Sequence, residues 1–96
     1  MKSLSDISEI LQSKKTHLFK TYGIDKLAIF GSYAREVQNI TSDVDILVEF
    51  RNPIGIEFID LADELEAILG IKVDLVSKNG IKLKYLKSIE PELVYV

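Results

Sequence analysis

The stretch that decides the fold is "FGSYAREVQNITSDVDILVEF", residues 30–50. A Gly31-Ser32 pair directly follows an apolar run, and two aspartates one residue apart, Asp43 and Asp45, stand at the start of the next apolar run. Aspartate is depleted in strands, and neighbouring carboxylates repel each other unless a positive charge lies between them. The stretch therefore predicts two strands, with a glycine-serine turn after the first and a divalent metal ion where the second begins.

The composition limits both the architecture and the function classes. Residues 1–96 are enough for one domain with one hydrophobic core. The net charge of -3 gives no basic field that would attract nucleic acid, and the absence of cysteine excludes disulfides and thiolate metal sites. Because no apolar run has the length of a signal peptide or of a bilayer span, we expect a cytoplasmic protein.

Hydrophobic periodicity and the glycine and proline positions divide the chain into helices and strands. The predicted long helices cover about 4–22 and 56–70, the predicted strands cover 26–30, 44–50 and 71–77, a short helix is expected near 33–37, and a basic amphipathic helix over 81–90. The order helix, strand, strand, helix, strand, helix predicts an α/β (α+β) domain with a small mixed sheet flanked by helices.

Two further expectations concern packing. The second long helix carries apolar residues that we expect to form its buried stripe, namely Ile56, Ile59, Leu65, Ile68 and Leu69. The apolar tail "ELVYV", residues 92–96, is expected to dock on the core, with a partner interface as the alternative.

Alternation along the strands places the acidic residues on one face. Val44, Ile46, Val48 and Phe50 share the face expected to lie under helices, so Asp43 and Asp45 share the opposite face. In the third strand, Asp74 likewise points away from its apolar neighbours. If the two strands are adjacent, three carboxylates meet at one edge of the sheet.

Three converging carboxylates suit phosphoryl or nucleotidyl transfer. Carboxylate oxygens are ligands for Mg2+, which usually keeps water and substrate phosphates as its other ligands, and two such ions can stabilise the attacking and the leaving oxygen. We expect Asp43 and Asp45 to hold the metal, and Asp74 to be a further ligand or a general base. The alternative is that these aspartates are solvated residues on an edge strand.

The glycine-serine turn is a candidate phosphate site. Gly31 allows backbone amides to approach a phosphate closely, the Ser32 hydroxyl can add a hydrogen bond, and the helix that follows adds a favourable dipole. Arg35, one helical turn further on, can meet a phosphate oxygen through its guanidinium fork. The alternative for Arg35 is that it simply faces water, as most arginines on short helices do.

The pattern "GSYARE…SDVDILVEF…KVDLVSK" resembles the DNA polymerase β nucleotidyltransferase superfamily. Its elements are a glycine-serine pair, ten residues, an Asp-x-Asp pair and a third aspartate in a later strand. The short chain is most similar to the minimal nucleotidyltransferases, the MNT group. Many of these are antitoxins paired with HEPN-domain toxins, so the resemblance implies a HEPN-domain toxin as partner.

The resemblance implies specific roles for matching positions. Gly31 and Ser32 match the turn that binds the nucleotide phosphates, Asp43 and Asp45 match the metal pair, and Asp74 matches the third carboxylate. The implied reaction is Mg2+-dependent transfer of AMP from ATP to a tyrosine hydroxyl of the partner toxin, which silences the toxin. The chain departs from the group at Glu36, where glycine is common, and this adds a negative charge near the expected triphosphate.

Two rival functions stay open. In the first, which the Glu36 departure favours, the protein neutralises its partner by binding alone. In the second, it transfers a nucleotide to a small molecule, although no segment for binding such an acceptor is visible. Larger nucleotidyltransferases hold the acceptor with a second domain, and in a chain of this length we expect a bound partner to present it.

Overall fold

A computed structural model describes residues 1–96 and confirms the predicted α/β class with a mixed sheet. The helices and strands follow each other as α1 Leu4–Tyr22, β1 Ile24–Phe30, α2 Gly31–Ala34, β2 Val44–Phe50, α3 Glu57–Leu69, β3 Val73–Ser77, α4 Leu83–Ile89 and β4 Val94–Tyr95. Two single-turn 3-10 helices, Lys78–Gly80 and Glu90–Glu92, flank α4. None of the helices combines the length and the hydrophobicity needed to cross a membrane.

The four strands form one sheet in the order β3-β2-β1-β4. β1 is antiparallel to both of its neighbours, β2 and β4, whereas β2 and β3 run parallel. The sequence did not predict β4, since a strand of two residues is too short to show any alternation. β4 is defined only by its pairing with β1, in which Val94 lies opposite Ile29.

The main hydrophobic core lies between one face of the sheet and the helices α1 and α3. The predicted inward face of β2 is confirmed, because Val44, Ile46, Val48 and Phe50 are all buried there. A smaller cluster lies on the other face, where Phe30 and Leu47 meet Ile89 of α4 and residues such as Leu93 of the tail. This confirms that the tail docks on the core rather than standing free.

The predicted buried stripe of α3 is partly wrong. Ile56 and Ile59 are 75% and 59% exposed, and the buried positions are Leu61, Leu65 and Leu69. Ile56 precedes the first helical turn as its N-cap, and Ile59 lies two residues before Leu61, which is more than half a turn away from the buried stripe. The four-residue spacing of the leucines sets the stripe.

The predicted boundaries of α1 are confirmed, and its caps explain them. Ser3 accepts a hydrogen bond from the Asp6 amide, and the Asp6 carboxylate accepts one from the Ser3 amide, which makes a capping box. Gly23 ends the helix with φ of 64°, a left-handed conformation that glycine adopts without a Cβ clash.

Glu36 is the only non-glycine residue with a positive φ, at 58°. It follows α2, where its amide donates a hydrogen bond to the Tyr33 carbonyl at 3.1 Å. A side chain in this left-handed region is strained by contact between Cβ and the carbonyl oxygen. The backbone at this position therefore favours the glycine that is common in the MNT group.

We predict that Glu36→Gly raises the free energy of unfolding by about 0.5 kcal/mol, because relief of the left-handed strain outweighs the greater flexibility of glycine in the unfolded chain. Urea unfolding followed by circular dichroism measures the change. Glu36→Ala is the matched control: it removes the charge but keeps a Cβ, so it should leave stability nearly unchanged. Equal stabilisation by both variants would assign the effect to charge instead.

Candidate active site

The predicted acidic residues meet at one end of the sheet. β2 and β3 are neighbouring parallel strands, and Asp45 lies directly opposite Asp74 in their register. On the other side of β2, Asp45 is paired with Phe30, the residue before the Gly31 turn. Three separate segments therefore bring their ends to the same place. The strand alternation predicted the meeting of Asp45 with Asp74 for adjacent strands, and the structure adds the end of β1.

Gly31 packs directly against the Asp45 carboxylate. It has a φ of 75°, and a Cβ atom at this position would collide with Oδ2 of Asp45. Both facts restrict the position to glycine, because other residues rarely adopt this backbone conformation and none would leave room for the carboxylate. The Gly31 turn and the Asp45 carboxylate of β2 are thus in direct contact.

The Asp45 carboxylate is in an unfavourable environment for its charge. Burial raises the pKa of Asp45 to about 6, and the negative charges of Asp74 and Asp43 and a hydrogen bond with Asp74 act in the same direction. The Arg35 guanidinium opposes this increase in pKa, but only in part. An additional positive charge beside Asp45 would stabilise its ionised form.

Asp43 reaches the cluster from a loop rather than from the strand itself. It is exposed and precedes the first residue of β2. The turn before it is organised by Asn39, whose side-chain oxygen accepts hydrogen bonds from the amide and the hydroxyl of Thr41 at 2.9 and 2.7 Å. The Ser42 amide also donates to the Asn39 carbonyl at 3.0 Å, so the approach to Asp43 is ordered.

These carboxylates suit a magnesium ion that takes only part of its ligands from the protein. No group of three or more acidic or histidine side chains is arranged so that it could hold a metal ion by itself. Two adjacent carboxylates with a third one nearby, all with hard oxygen donors, suit Mg2+ that takes one or two protein ligands and completes its shell with phosphate and water. The donor chemistry would suit such an ion only with substrate and water as its further ligands, so the magnesium site stays a prediction.

Arg35 lies at the site, but it does not simply face water. Its Nη1 donates a hydrogen bond to Oε2 of Glu92 at 2.9 Å, and the amide of Gly31 donates to Oε1 of the same carboxylate at 2.8 Å. Burial alone would raise the pKa of Glu92, but the hydrogen bonds from Gly31 and Arg35 outweigh it and hold that pKa below its usual value. Sequence reasoning missed Glu92, because only the unpredicted strand β4 brings this segment beside the turn.

Ser32 has no side-chain partner, and of the lysines near the C-terminus one forms an ion pair. Ser32 is half-buried in the first turn of α2, and its side chain has no hydrogen-bond partner in the structure. Lys78 lies further along the sheet and pairs with Glu49 at 3.4 Å. The other lysines of the C-terminal cluster are exposed on α4 or just before it and make no ion pair; these are Lys82, Lys84 and Lys87.

An open cleft borders the acidic cluster. It has a volume of about 590 Å³, and its lining includes Asp43, Tyr33, Lys2 and Lys72. The two lysines place positive charge beside a carboxylate that faces solvent. The cleft reaches Asp43 but neither of the two aspartates in the strands.

Sequence comparison identifies the family. The profile described as "Nucleotidyltransferase domain" matches residues 4–96. A Methanocaldococcus jannaschii protein, provisionally named protein adenylyltransferase MJ1217, is 50% identical over 98 residues that cover 100% of both chains. Protein adenylyltransferase MntA of Thermococcus cleftensis is 42% identical over 97 residues, covering 100% of this chain and 98% of the relative.

Solved structures share the fold. One that is provisionally described as a minimal nucleotidyltransferase superposes with a TM-score of 0.84 at 26% identity, covering 97% of this chain and 95% of that chain. Another, from a tri-AMPylated Shewanella oneidensis HEPN toxin in complex with its MNT antitoxin, has a TM-score of 0.67 at 21% identity and covers 91% and 69%. At that level of identity the second likeness shows the fold alone.

We predict that Asp45→Asn stabilises the metal-free protein at neutral pH. The folded pKa of about 6 exceeds the ordinary value of 3.8, so the wild type loses stability as pH rises through this range. In chelator, the variant should exceed the wild type by about 1 kcal/mol at pH 7.5, less than the full shift because Asp45 is only partly buried.

Urea unfolding at pH 4 and pH 7.5 measures this difference. Asp63→Asn, on the exposed side of α3, is the control for loss of one negative charge elsewhere. If the wild type instead gained stability relative to Asp45→Asn from pH 4 to pH 7.5, the raised pKa of Asp45 would be wrong.

Proposed function

The chain belongs to the nucleotidyltransferase domain family, and from this premise we propose that it is a Mg2+-dependent protein adenylyltransferase. Its substrates are ATP and a tyrosine hydroxyl of a partner toxin of the HEPN class, and its role is that of the antitoxin. An ATP-dependent role of this kind belongs in the cytoplasm. The observation that carries the proposal is the placement of Asp45 beside Asp74, with the Gly31 turn packed on the Asp45 carboxylate.

The proposed reaction is a displacement at the α-phosphorus of ATP. The tyrosine oxygen forms a bond to that phosphorus, the bond from the phosphorus to the bridging oxygen of the β-phosphate breaks, and pyrophosphate leaves. The proton of the tyrosine hydroxyl needs an acceptor. Asp74 is suited to this role because its side chain is exposed at the edge of the cluster, where a hydroxyl from another molecule can reach it.

Asp43, Asp45 and Asp74 would contribute ligands to one or two magnesium ions, whose shells phosphate and water would complete. When bound, magnesium supplies positive charge that stabilises the attacking and leaving oxygens. The protein's own contribution is to fix the two strand carboxylates before substrate arrives, because the register of β2 and β3 places them opposite each other. Fixed groups of this kind need little reorganisation during the reaction.

The phosphate side of the site comprises Gly31, Ser32 and Arg35. The unpartnered hydroxyl of Ser32 is a free donor at the start of α2, and the Arg35 guanidinium is close enough to Asp45 to lower its pKa. A triphosphate placed between them would meet donors on one side and the metal carboxylates on the other. This arrangement orients the α-phosphorus toward the open side of the cluster.

The nature of the acceptor follows from the open site and from the relatives. Asp43 and Asp74 are both exposed, so a side chain presented by another protein can approach them. The relatives are named protein adenylyltransferases, a name that makes a protein their acceptor. The structural neighbour with an AMPylated HEPN toxin supplies the class of partner for the proposal.

We predict that ATP binding depends on the metal. In calorimetry, ATP affinity should be at least about tenfold higher with Mg2+ than in chelator, because the cation relieves repulsion between the carboxylates and the triphosphate. AMP-PNP, which resists hydrolysis at the terminal phosphate, serves as a parallel ligand. Equal affinity in the two conditions would count against a metal site at Asp43, Asp45 and Asp74.

We predict that Asp43→Asn with Asp45→Asn abolishes AMP transfer but leaves the partner complex intact. Asparagine keeps the shape of the side chain and removes the charges that hold metal, so transfer should fall at least about a thousandfold. The readouts are the mass of the partner toxin after incubation with ATP and Mg2+, and the toxin's own activity. The matched control is Asp25→Asn with Asp63→Asn, two exposed aspartates outside the cluster.

Binding alone is the alternative function that this experiment separates. If the Asp43 and Asp45 double variant still neutralises the toxin fully, catalysis is dispensable and the protein acts by occlusion. If wild type and ATP leave the toxin mass unchanged and the toxin stays active after release, the modification mechanism fails.

A further inference from the structure

Glu92 connects the C-terminal segment to the nucleotide side of the site. Its Oε1 accepts a hydrogen bond from the Gly31 amide at 2.8 Å, and its Oε2 accepts one from Nη1 of Arg35 at 2.9 Å. The two oxygens thus hold two groups that belong to different parts of α2. No other side chain in the structure contacts the backbone of this turn through a hydrogen bond.

The fold holds Glu92 in place from both sides. Glu92 is the last residue of the Glu90–Glu92 turn. Beyond it, Val94 pairs with Ile29, and the Val96 amide donates to the Leu27 carbonyl at 2.9 Å. Only 21% of the Glu92 side chain is exposed. The carboxylate therefore belongs to a turn that is held in place by the short strand β4 after it.

Both partners of Glu92 also interact with Asp45. Gly31 packs on the Asp45 carboxylate, and the positive charge of Arg35 acts on that same group. Glu92 thus contacts both groups that interact with Asp45, the Gly31 turn and the Arg35 guanidinium. Loss of Glu92 would release both constraints at once.

We propose that Glu92 is a positioning residue for nucleotidyl transfer, which holds the Gly31 turn and aims Arg35 at the β- and γ-phosphates of ATP. The inference rests on the proposed function. Its alternative is that the carboxylate occupies the place of a phosphate and must be displaced. Positioning is favoured because a guanidinium has five N–H donors, and Glu92 uses one of them, so Arg35 can hold Glu92 and a phosphate together.

The test compares Glu92→Gln, Glu92→Leu and the control Glu90→Gln. Gln keeps an oxygen for the Gly31 amide but loses the charge that attracts Arg35, whereas Leu loses both contacts. Glu90 lies in the same single turn, is exposed and makes no side-chain hydrogen bond or ion pair, so its variant controls for charge. Calorimetry measures the affinity of each protein for ATP and for AMP in Mg2+, and hydrogen exchange by NMR measures protection of the Gly31 amide.

We expect Glu92→Gln to weaken ATP binding about fivefold to tenfold, the effect of replacing a charge-assisted hydrogen bond by a neutral one, and to weaken AMP binding less than about twofold. Glu92→Leu should weaken ATP binding further and speed exchange of the Gly31 amide at least about tenfold. Glu90→Gln should match the wild type in every measurement. A purely structural role would instead lower the affinities for ATP and AMP by the same factor.

Two results would overturn the positioning role. One is tighter ATP binding by the Glu92 variants, which would show that the carboxylate competes with phosphate. The other is unchanged Gly31 exchange in Glu92→Leu. If the wild type binds no ATP at all, the proposed function fails, and the Gly31 exchange rates still decide whether Glu92 holds the turn.

Discussion

The site depends on one constraint, the parallel pairing of β2 and β3 that sets Asp45 opposite Asp74. Two carboxylates in this position repel each other, and Asp45 is also partly removed from water. The cost is met by the core on the other face of the strand, where Val44, Ile46 and Val48 are fully buried. A shift of the register by one residue would turn those side chains toward solvent, so burial of the core keeps the carboxylates together.

The proposed substrate, ATP, is an anion, yet the protein has a net charge of -3. The positive groups near the carboxylates are local, since Arg35 lies at the Gly31 turn and Lys2 and Lys72 line the cleft beside Asp43. The field of the net charge is screened by salt over roughly 8–10 Å at physiological ionic strength, whereas groups in direct contact are screened much less. A protein of net charge -3 can therefore bind ATP if its donors are placed correctly.

Features with local sequence signals were predictable, and features that arise from distant contacts were not. Alternation in β2 and β3 predicted the faces on which Asp45 and Asp74 lie, because alternation depends on neighbours in sequence. Their meeting was predicted only if the two strands are adjacent, and the pairing of β2 with β3 fulfils that condition. Glu92 was missed, since 61 residues separate it from Gly31 and nothing in "EPELV" marks it. The exposed Ile56 and Ile59 misled the prediction for α3, because hydrophobicity alone does not fix which face of a helix is buried. Roles of the site residues in catalysis remain predictions that the proposed experiments test.

The short strand β4 has a consequence for the order in which the molecule is made. Residues 94–96 pair with β1, and that contact spans most of the chain. During translation, α1, β1 and α2 leave the ribosome long before Glu92 is synthesised. The Gly31 amide and Arg35 therefore lack their Glu92 partner until the segment around β4 has left the exit tunnel and paired with β1. A nascent chain can therefore form the core between the sheet and the helices α1 and α3 before Glu92 supports the Gly31 turn.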